Sequence, residues 1–553
     1  MQFIRKAGRA SAAAALGILA VAAATSAAAA PPGWIATETK ADGPVEGATQ
    51  LLGDLTKIYR DPLHIVVTLK LRNEANLDAY LVRTHTLGDS MYGQTLTESE
   101  FVDQYGPTQQ QVDAVASYLQ KVGLKNINWS ANRLQVYADA LPWLMGIAFG
   151  YGTSSGIWKS SGHVVVTNNE DASVPASLSQ VQSIIGLSTA HVANKMIMRP
   201  TAAAAAGSVG HVPTDFPSIY NALGVASAST VPVAVVASGN LLQVEADLRA
   251  YEAQNGLPVV PLTFLPQEIV GTDTSGLDEW DLDTQTITSM AGNVSHLYVY
   301  NAASLSDADL TTTYNQIVID NFAKVISISL GECERGPHSD GSMAADDTIF
   351  KEAMAQGQTF FVSSGDGGAN TGCGAQQGLT KQVAYPASSP YVVAVGGTTL
   401  STTGTTVYGS ETAWGKSGGG TSSFESPGAA QAAAKGVTKR EVPDVAMDAD
   451  PNSGAIIVYN GGSLQVGGTS LASPMAAGAW ARVLGTHPTV GTAAPAFYTA
   501  ASKSPAPFHD ITSGTNCVGL VCLLNPNYKA GTGYDEVTGI GSLNVGLLNT
   551  AIK

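Results

Sequence analysis

The sequence predicts an α/β protein: a C-terminal unit with a mostly parallel sheet flanked by helices, preceded by a smaller α+β unit. Three observations predict it. From Pro213 onward, strand-like apolar runs alternate with helix-like stretches, the pattern of a parallel sheet with helices on both faces. The charge changes along the chain: residues 1–200 hold 15 basic and 15 acidic groups, while residues 201–553 hold 13 and 29 and carry the whole net charge of −16. The length, 553 residues, exceeds what one hydrophobic core of about 250–300 residues usually organises.

The N-terminal stretch reads as an export signal over residues 1–30. Arg5, Lys6 and Arg9 precede an Ala-rich apolar run from Ser11 to Ala24, small residues follow to Ala30, and Pro31-Pro32 ends the run. No later stretch reaches the ~18 apolar residues of a spanning helix, so a secreted, extracellular protein is expected, with no membrane contact once the signal is removed. A hydrophobic share of 44% and a charged share of 13% supply a core and argue against a disordered chain. The acidic balance disfavours phosphate-backbone binding, so no nucleic-acid partner is expected, and it suits a protein that tolerates acid.

Residues 31–200 read as a separate unit. His64 to Leu71 alternates as a strand, Thr108 caps a helix with Val112, Val115 and Leu119 on one face and Gly123 at its end, and Val164 to Val166 is a further strand. Thr201 to Gly210 is a small-residue tract suited to a cleavable linker. In the unit from 211 to 553, Val231–Ala237, Val325–Leu330, Thr359–Ser363 and Tyr391–Val395 read as strands. Leu241–Gln254 and Met343–Gln356 read as helices. Chemistry in such sheets collects at the carboxyl ends of the strands.

Four cysteines, Cys333, Cys373, Cys517 and Cys522, make an even set in an exported chain and suggest disulfides. Three pairings are open. The one nearest in sequence joins Cys333 to Cys373 and Cys517 to Cys522.

Three segments can carry chemistry. In Gly467-Gly468-Thr469-Ser470 a serine opens an apolar helix, beside free backbone N–H groups and the positive end of the helix dipole, which suits a nucleophile whose reaction builds an oxyanion. The competing explanation is a simple helix cap. None of the nine histidines lies in a Gly-rich motif that would mark it as the base. In Glu279-Trp280-Asp281-Leu282-Asp283 two carboxyls four residues apart share a helix face, so one holds its proton abnormally and the pair can exchange a proton with Ser470 in acid. A solvated acidic turn is the plain alternative. In Ser364-Gly365-Asp366-Gly367, directly after a strand, a protonated Asp366 can donate to an oxyanion, or the segment is an ordinary Asp-Gly turn.

Taken in order, EWDLD, SSGDGG and GGTSLASP resemble the sedolisin family of serine-carboxyl peptidases. The resemblance implies a subtilisin-like fold for the catalytic unit. It gives Ser470 the role of nucleophile, Glu279 that of general base, Asp283 that of its orienting partner, and Asp366 that of oxyanion donor. It extends through His211-Val212-Pro213-Thr214-Asp215-Phe216 and Ala384-Tyr385-Pro386-Ala387-Ser388. The 31–200 unit is similar to the family's activation domain. The chain is therefore expected to be a zymogen inhibited by its own propeptide, cut in acid between Lys195 and Ala206. His509-Asp510-Ile511-Thr512-Ser513-Gly514 and Ala530-Gly531-Thr532-Gly533-Tyr534-Asp535 resemble the family's single structural Ca²⁺ site, with the Asp510 and Asp535 side chains and the Ile511, Gly531 and Gly533 carbonyls as ligands. Ser329-Leu330-Gly331 resembles the edge strand that binds substrate backbone. Some relatives carry an acidic residue where this chain has Gly367, so no side-chain preference carries over.

The expected function is an acid-active serine endopeptidase acting as a monomer on proteins and peptides. A pepsin-like aspartic protease is the first alternative, prompted by Gly271-Thr272-Asp273-Thr274-Ser275-Gly276. A catalytically dead, calcium-dependent binding protein is the second. A carboxylate-pair glycosidase, which has no use for Ser470, is a distant third.

Overall fold

In the computed structural model, the described residues are 30–43, 49–51, 59–151, 155–160, 163–200, 209–266, 272–369, 382–517 and 528–552. The proposed export signal, most of the Thr201–Gly210 linker, Cys373 and Cys522 lie outside them. Cys333 and Cys517 carry no free thiol.

The N-terminal unit closes on a four-stranded antiparallel sheet. Strand β1 (Leu63–Leu69) pairs with β3 (Gln135–Ala140) on one side and β4 (Val181–Ile185) on the other, and β2 (Lys125–Trp129) lies beyond β3. Helix α1 (Gln109–Val122) starts where Thr108 and Gln111 satisfy each other's backbone in a capping box, and it ends at Gly123 with φ 108°. Its buried Val112, Val115 and Leu119 join Ile65, Val67 and Leu69 of β1 in one core.

The second unit is organised by a ten-stranded sheet. Its central strands are β6 (Ala228–Ser238), β8 (Val294–Ala302), β9 (Val325–Ile328), β11 (Thr359–Ser363), β13 (Val393–Thr403) and β14 (Val445–Asp448). They run parallel in the order β8, β6, β9, β11, β13, β14. Helix α2 (Leu277–Ala291) and helix α5 (Thr469–Thr486) pack on each other and on this sheet. Both are helices without a wet face: every residue from Glu279 to Ala291, and every residue from Thr469 to Leu484, is buried. Burying polar groups in such helices costs free energy unless they are partnered; Thr284 and Thr288 return their hydroxyls to carbonyls one turn back, whereas both oxygens of Glu279 and of Asp281 are left without a partner.

Two expected strands differ. Val325–Leu330 is not one strand: β9 stops at Ile328, and β10 (Leu330–Cys333) belongs to a different, three-stranded sheet. The chain leaves the main sheet at Ser329, whose hydroxyl and carbonyl are both engaged by the site described below. The strand expected over Tyr391–Val395 begins at Val393 and continues to Thr403, where β13 pairs with a following antiparallel strand.

The two units are docked through polar contacts, some buried and some at the rim. Asn132, fully buried, donates to Asn315 (2.6 Å) and Glu352 (2.9 Å) of the second unit. His191, held by Asp42 of its own unit at 2.8 Å, reaches Glu332 of the second unit at 3.8 Å. Lys351 binds Glu74 and Asp78 at 2.5 and 2.9 Å.

Candidate active site

The carboxyl ends of β9 and β11 and the first turns of α2 and α5 meet at one point. Ser470 is the second residue of α5 and is completely buried. The preceding Gly468 has φ 106°, a conformation open to glycine, and a Cβ there would lie 2.6 Å from the Asp366 carboxyl. Pro474 sits one helical turn after Ser470. Because proline has no N–H, the Ser470 carbonyl loses its usual helical donor, and the Ser329 hydroxyl lies 3.4 Å from it instead.

Glu279 and Asp283 lie on the same face of α2, both with no exposed surface. The solvated turn considered for this segment is therefore replaced by a helix buried in the core. Burial, and next the charge of Asp283, hold Glu279 well above the ordinary carboxyl range, and the nearby Ser470 hydroxyl pulls it partly back. Neither Glu279 oxygen has a hydrogen bond of ordinary geometry, and the Ser470 hydroxyl makes a long contact, 3.5 Å, to the Ser329 carbonyl. The serine and glutamate thus approach without a tight bond, as catalytic pairs often do before substrate arrives. Burial also raises Asp283, and a hydroxyl hydrogen from Ser329, 2.6 Å away, opposes that rise. Among the described residues, the groups at Ser470 are Glu279, Ser329 and the backbone of Met196; no histidine is one of them.

Asp366 follows β11 in the loop that abuts the start of α5. Its Oδ1 accepts from the Thr469 amide (2.8 Å) and hydroxyl (2.9 Å), while Oδ2 is buried without a partner. Burial pushes this carboxyl up to about 7, against the two Thr469 bonds that hold it down. With Oδ1 committed as acceptor, the proton belongs on Oδ2, the free atom beside the serine's helix turn.

Ser329, Leu330 and Gly331 form an edge that is already occupied. A short strand of this chain, β5 (Asn194–Lys195), pairs antiparallel with Leu330 and Gly331. The Met196 amide donates to the Ser329 carbonyl at 3.2 Å, and the Ser470 amide donates to the Met196 carbonyl at 3.0 Å. Met198 and Gly467 exchange both backbone bonds, at 2.9 and 2.8 Å.

Comparison with known proteins places the chain in a family. Residues 59–190 match the model of the pro-kumamolisin activation domain, and residues 270–504 match that of the subtilase family. Sedolisin of Pseudomonas sp. (strain 101) is 38% identical over 567 residues, covering 97% of this chain and 95% of that protein. The chain belongs to the sedolisin family of serine-carboxyl peptidases. Xanthomonalisin of Xanthomonas sp. (strain T-22) is likewise 38% identical over 548 residues, covering 88% of this chain, which spans 65% of that longer relative. The solved structure of Pseudomonas sedolisin, complexed with two molecules of pseudo-iodotyrostatin, superposes with a TM-score of 0.58 at 40% identity, covering 62% of this chain and 98% of that one. The chain is thus a serine-type peptidase with a subtilisin-like α/β fold and an N-terminal prodomain. The pepsin-like alternative falls with this membership, and Asp273, its candidate acid, is exposed and caps the Ser275 amide at 2.8 Å.

Asp510 and Asp535, expected as cation ligands, each accept from an amide of the Gly531–Gly533 segment. Asp510 accepts from the Gly533 amide at 3.0 and 3.1 Å, and Asp535 accepts from the Gly531 amide at 2.8 Å. Two carboxylates therefore converge on one glycine-containing turn, with buried Ile511 next to Asp510. Burial raises Asp535, and amides of Gly531, Thr538 and Val537 oppose it. An all-oxygen donor set with open space around Gly531 and Gly533 fits a hard divalent cation.

Two features escaped sequence reasoning. One is the Ser329 side chain, expected only as edge-strand backbone. The other is Asp281, the middle acid of EWDLD, which is fully buried and pushed up to about 10 by burial and by the neighbouring Asp247. Asp247 in turn accepts from the Asn460 and Gly461 amides.

Proposed function

We propose that this chain is a secreted, acid-active endopeptidase, made as a self-processing zymogen, in which a Ser470-Glu279-Asp283 triad cleaves peptide bonds through an acyl-enzyme and Asp366 helps hold the oxyanion. The observation that carries the reading is the buried Glu279–Asp283 pair facing the Ser470 hydroxyl. The Ser470 Oγ attacks the scissile carbonyl carbon while Glu279 takes its proton. Asp283, clamped by Ser329, shares that proton and fixes the direction of Glu279. The developing oxyanion accepts from the Ser470 amide and from the protonated Asp366 Oδ2. The same proton passes from Glu279 to the leaving amine, and water then hydrolyses the ester with Glu279 as base. Acid is required because an ionised Asp366 has no hydrogen to donate.

The 31–200 unit acts as the intramolecular inhibitor, with the junction to the 211–553 unit as the region that is cut. Asp510 and Asp535, with the carbonyls of Ile511, Gly531 and Gly533, hold one Ca²⁺. That ion would neutralise the two carboxylates and tie the two C-terminal segments together. Disulfides Cys333–Cys373 and Cys517–Cys522 complete the secreted form, which acts as a monomer. Among the described residues no helix is long and apolar enough to cross a membrane.

The test is hydrolysis of casein at acid pH by acid-treated precursor, beside Ser470→Ala. Activity only in the parent supports the reading. Equal activity in both would refute the mechanism, and inactivity of both would favour a calcium-dependent binding protein.

A further inference from the structure

The strand lying in the cleft has the hydrogen-bond pattern of a substrate, and the pattern singles out one bond. The Met196 carbonyl accepts from the amide of the nucleophile itself, Ser470, at 3.0 Å, while the Met196 amide donates to the Ser329 carbonyl at 3.2 Å. Two residues upstream, Asn194 is in register with Gly331. Two residues downstream, Met198 is bridged to Gly467, immediately ahead of the serine's turn. Backbone is thus held on both sides of Met196–Ile197, and the one carbonyl placed on the oxyanion donor belongs to Met196. Gly468 is needed for this approach: a Cβ on it would lie 2.1 Å from the Met196 oxygen.

Side chains add to the register. Met196 is only 5% exposed, and its Cε would lie 3.2 Å from a Cβ at Gly331. A glycine there therefore leaves the room that an unbranched apolar chain fills. The Lys195 ammonium donates to the Ser275 carbonyl at 2.5 Å, and Arg199 pairs with Asp278 at 3.0 Å. Both cations lie at the N-terminal end of α2, where the first-turn acid Asp278 holds Arg199.

We propose that the first self-cleavage breaks the Met196–Ile197 bond within the same chain, and that the cleft reads a long apolar side chain before the bond, with a cation one residue upstream of it. The proposal rests on the function proposed above. The Ser470 Oγ bonds to the Met196 carbonyl carbon and its proton passes to Glu279. The C–N bond to Ile197 breaks as that proton moves to the Ile197 nitrogen, and water then releases Met196 as a free acid and restores Ser470.

The experiment is a quenched time course of the purified full-length precursor after acidification. Mass spectrometry reads the C-terminus of the first released propeptide and the N-terminus of its partner fragment. The expected result is a propeptide ending at Met196 and a fragment starting at Ile197, formed at a rate independent of protein concentration. Met196→Asp slows that cut at least tenfold, about the discrimination a single apolar pocket supplies. Met196→Leu, which conserves volume, stays within about threefold. A first cut at another bond, abolished by Ser470→Ala, would overturn the assignment of the bond and leave the proposed function standing. Unchanged cutting at 196–197 in Met196→Asp would overturn the side-chain preference. Absence of any Ser470-dependent cut would overturn the proposed function and this inference together.

Discussion

The Ser329 hydroxyl donates to Asp283 Oδ1 across 2.6 Å, and the Ser329 carbonyl accepts from the Met196 amide at 3.2 Å. One residue at a break between two strands therefore connects the carboxyl pair to the backbone in the cleft. Its side chain opposes the rise of Asp283, and its main chain aligns the strand whose carbonyl meets Ser470. Ser329→Ala keeps the second contact and loses the first. Loss of a hydrogen bond to a carboxyl that shares its proton with Glu279 predicts a fall of roughly tenfold in kcat with little change in KM. Because the lost bond held Asp283 down, the acid limb of the pH–rate profile moves to higher pH. Steady-state kinetics on a chromogenic peptide checks both; a change in KM alone would contradict the role.

Asp366 sets the other side of the pH profile. Its carboxyl is held at about 7, so the neutral donor form dominates below that value and is lost above it. Activity is expected to fall as pH rises through about 7. Asp366→Ala removes an oxyanion donor and is expected to cost about 10²–10³ in kcat. Asp366→Asn places an amide N–H where Oδ2 stands, so it retains more activity than the alanine variant and loses the fall near neutrality. An unchanged alkaline limb in Asp366→Asn would contradict this.

Stability should favour acid. Asp366 and Glu352 are raised to about 7 and about 8 by burial, and Glu279 and Asp283 are raised as well. As pH climbs above the ordinary carboxyl range, the unfolded chain releases these protons before the folded one does. Over that window the folded state binds more protons, and the free energy of unfolding falls with increasing pH. Calorimetry of the Ser470→Ala precursor should show Tm falling by at least about 5 °C between pH 4 and 8. A Tm that rises over that range would contradict it.

The C-terminal carboxylates make a prediction separate from catalysis. A chelator should lower the Tm of the Ser470→Ala precursor by about 5–10 °C, and added Ca²⁺ should restore it. Asp535→Asn should abolish the response, whereas a chelator-insensitive Tm in the parent would remove the ion from the account.

Much of this was legible in the sequence, for local reasons. The Glu279–Asp283 spacing puts both acids on one helix face, the Ser470 segment reads as a helix start, and the strand before Asp366 shows in its β-branched and aromatic run. These signals lie within a few residues of the groups they position. Ser329 was read as backbone only, because its side-chain partner lies 46 residues away and no local pattern encodes that distance. The seat of Met196 was hidden for the same reason: its carbonyl meets a serine from the far end of the other unit. Even the break at Ser329 was invisible, because Val325–Leu330 alternates like one uninterrupted strand.

The central claim is that a carboxyl group, and not an imidazole, removes the proton from Ser470. The most direct test is kcat/KM of Glu279→Gln at acid pH, measured on acid-treated protein whose Tm matches the parent. A drop of about 10²–10⁴-fold, the usual worth of a positioned general base, is predicted. Activity within tenfold of the parent would contradict the account.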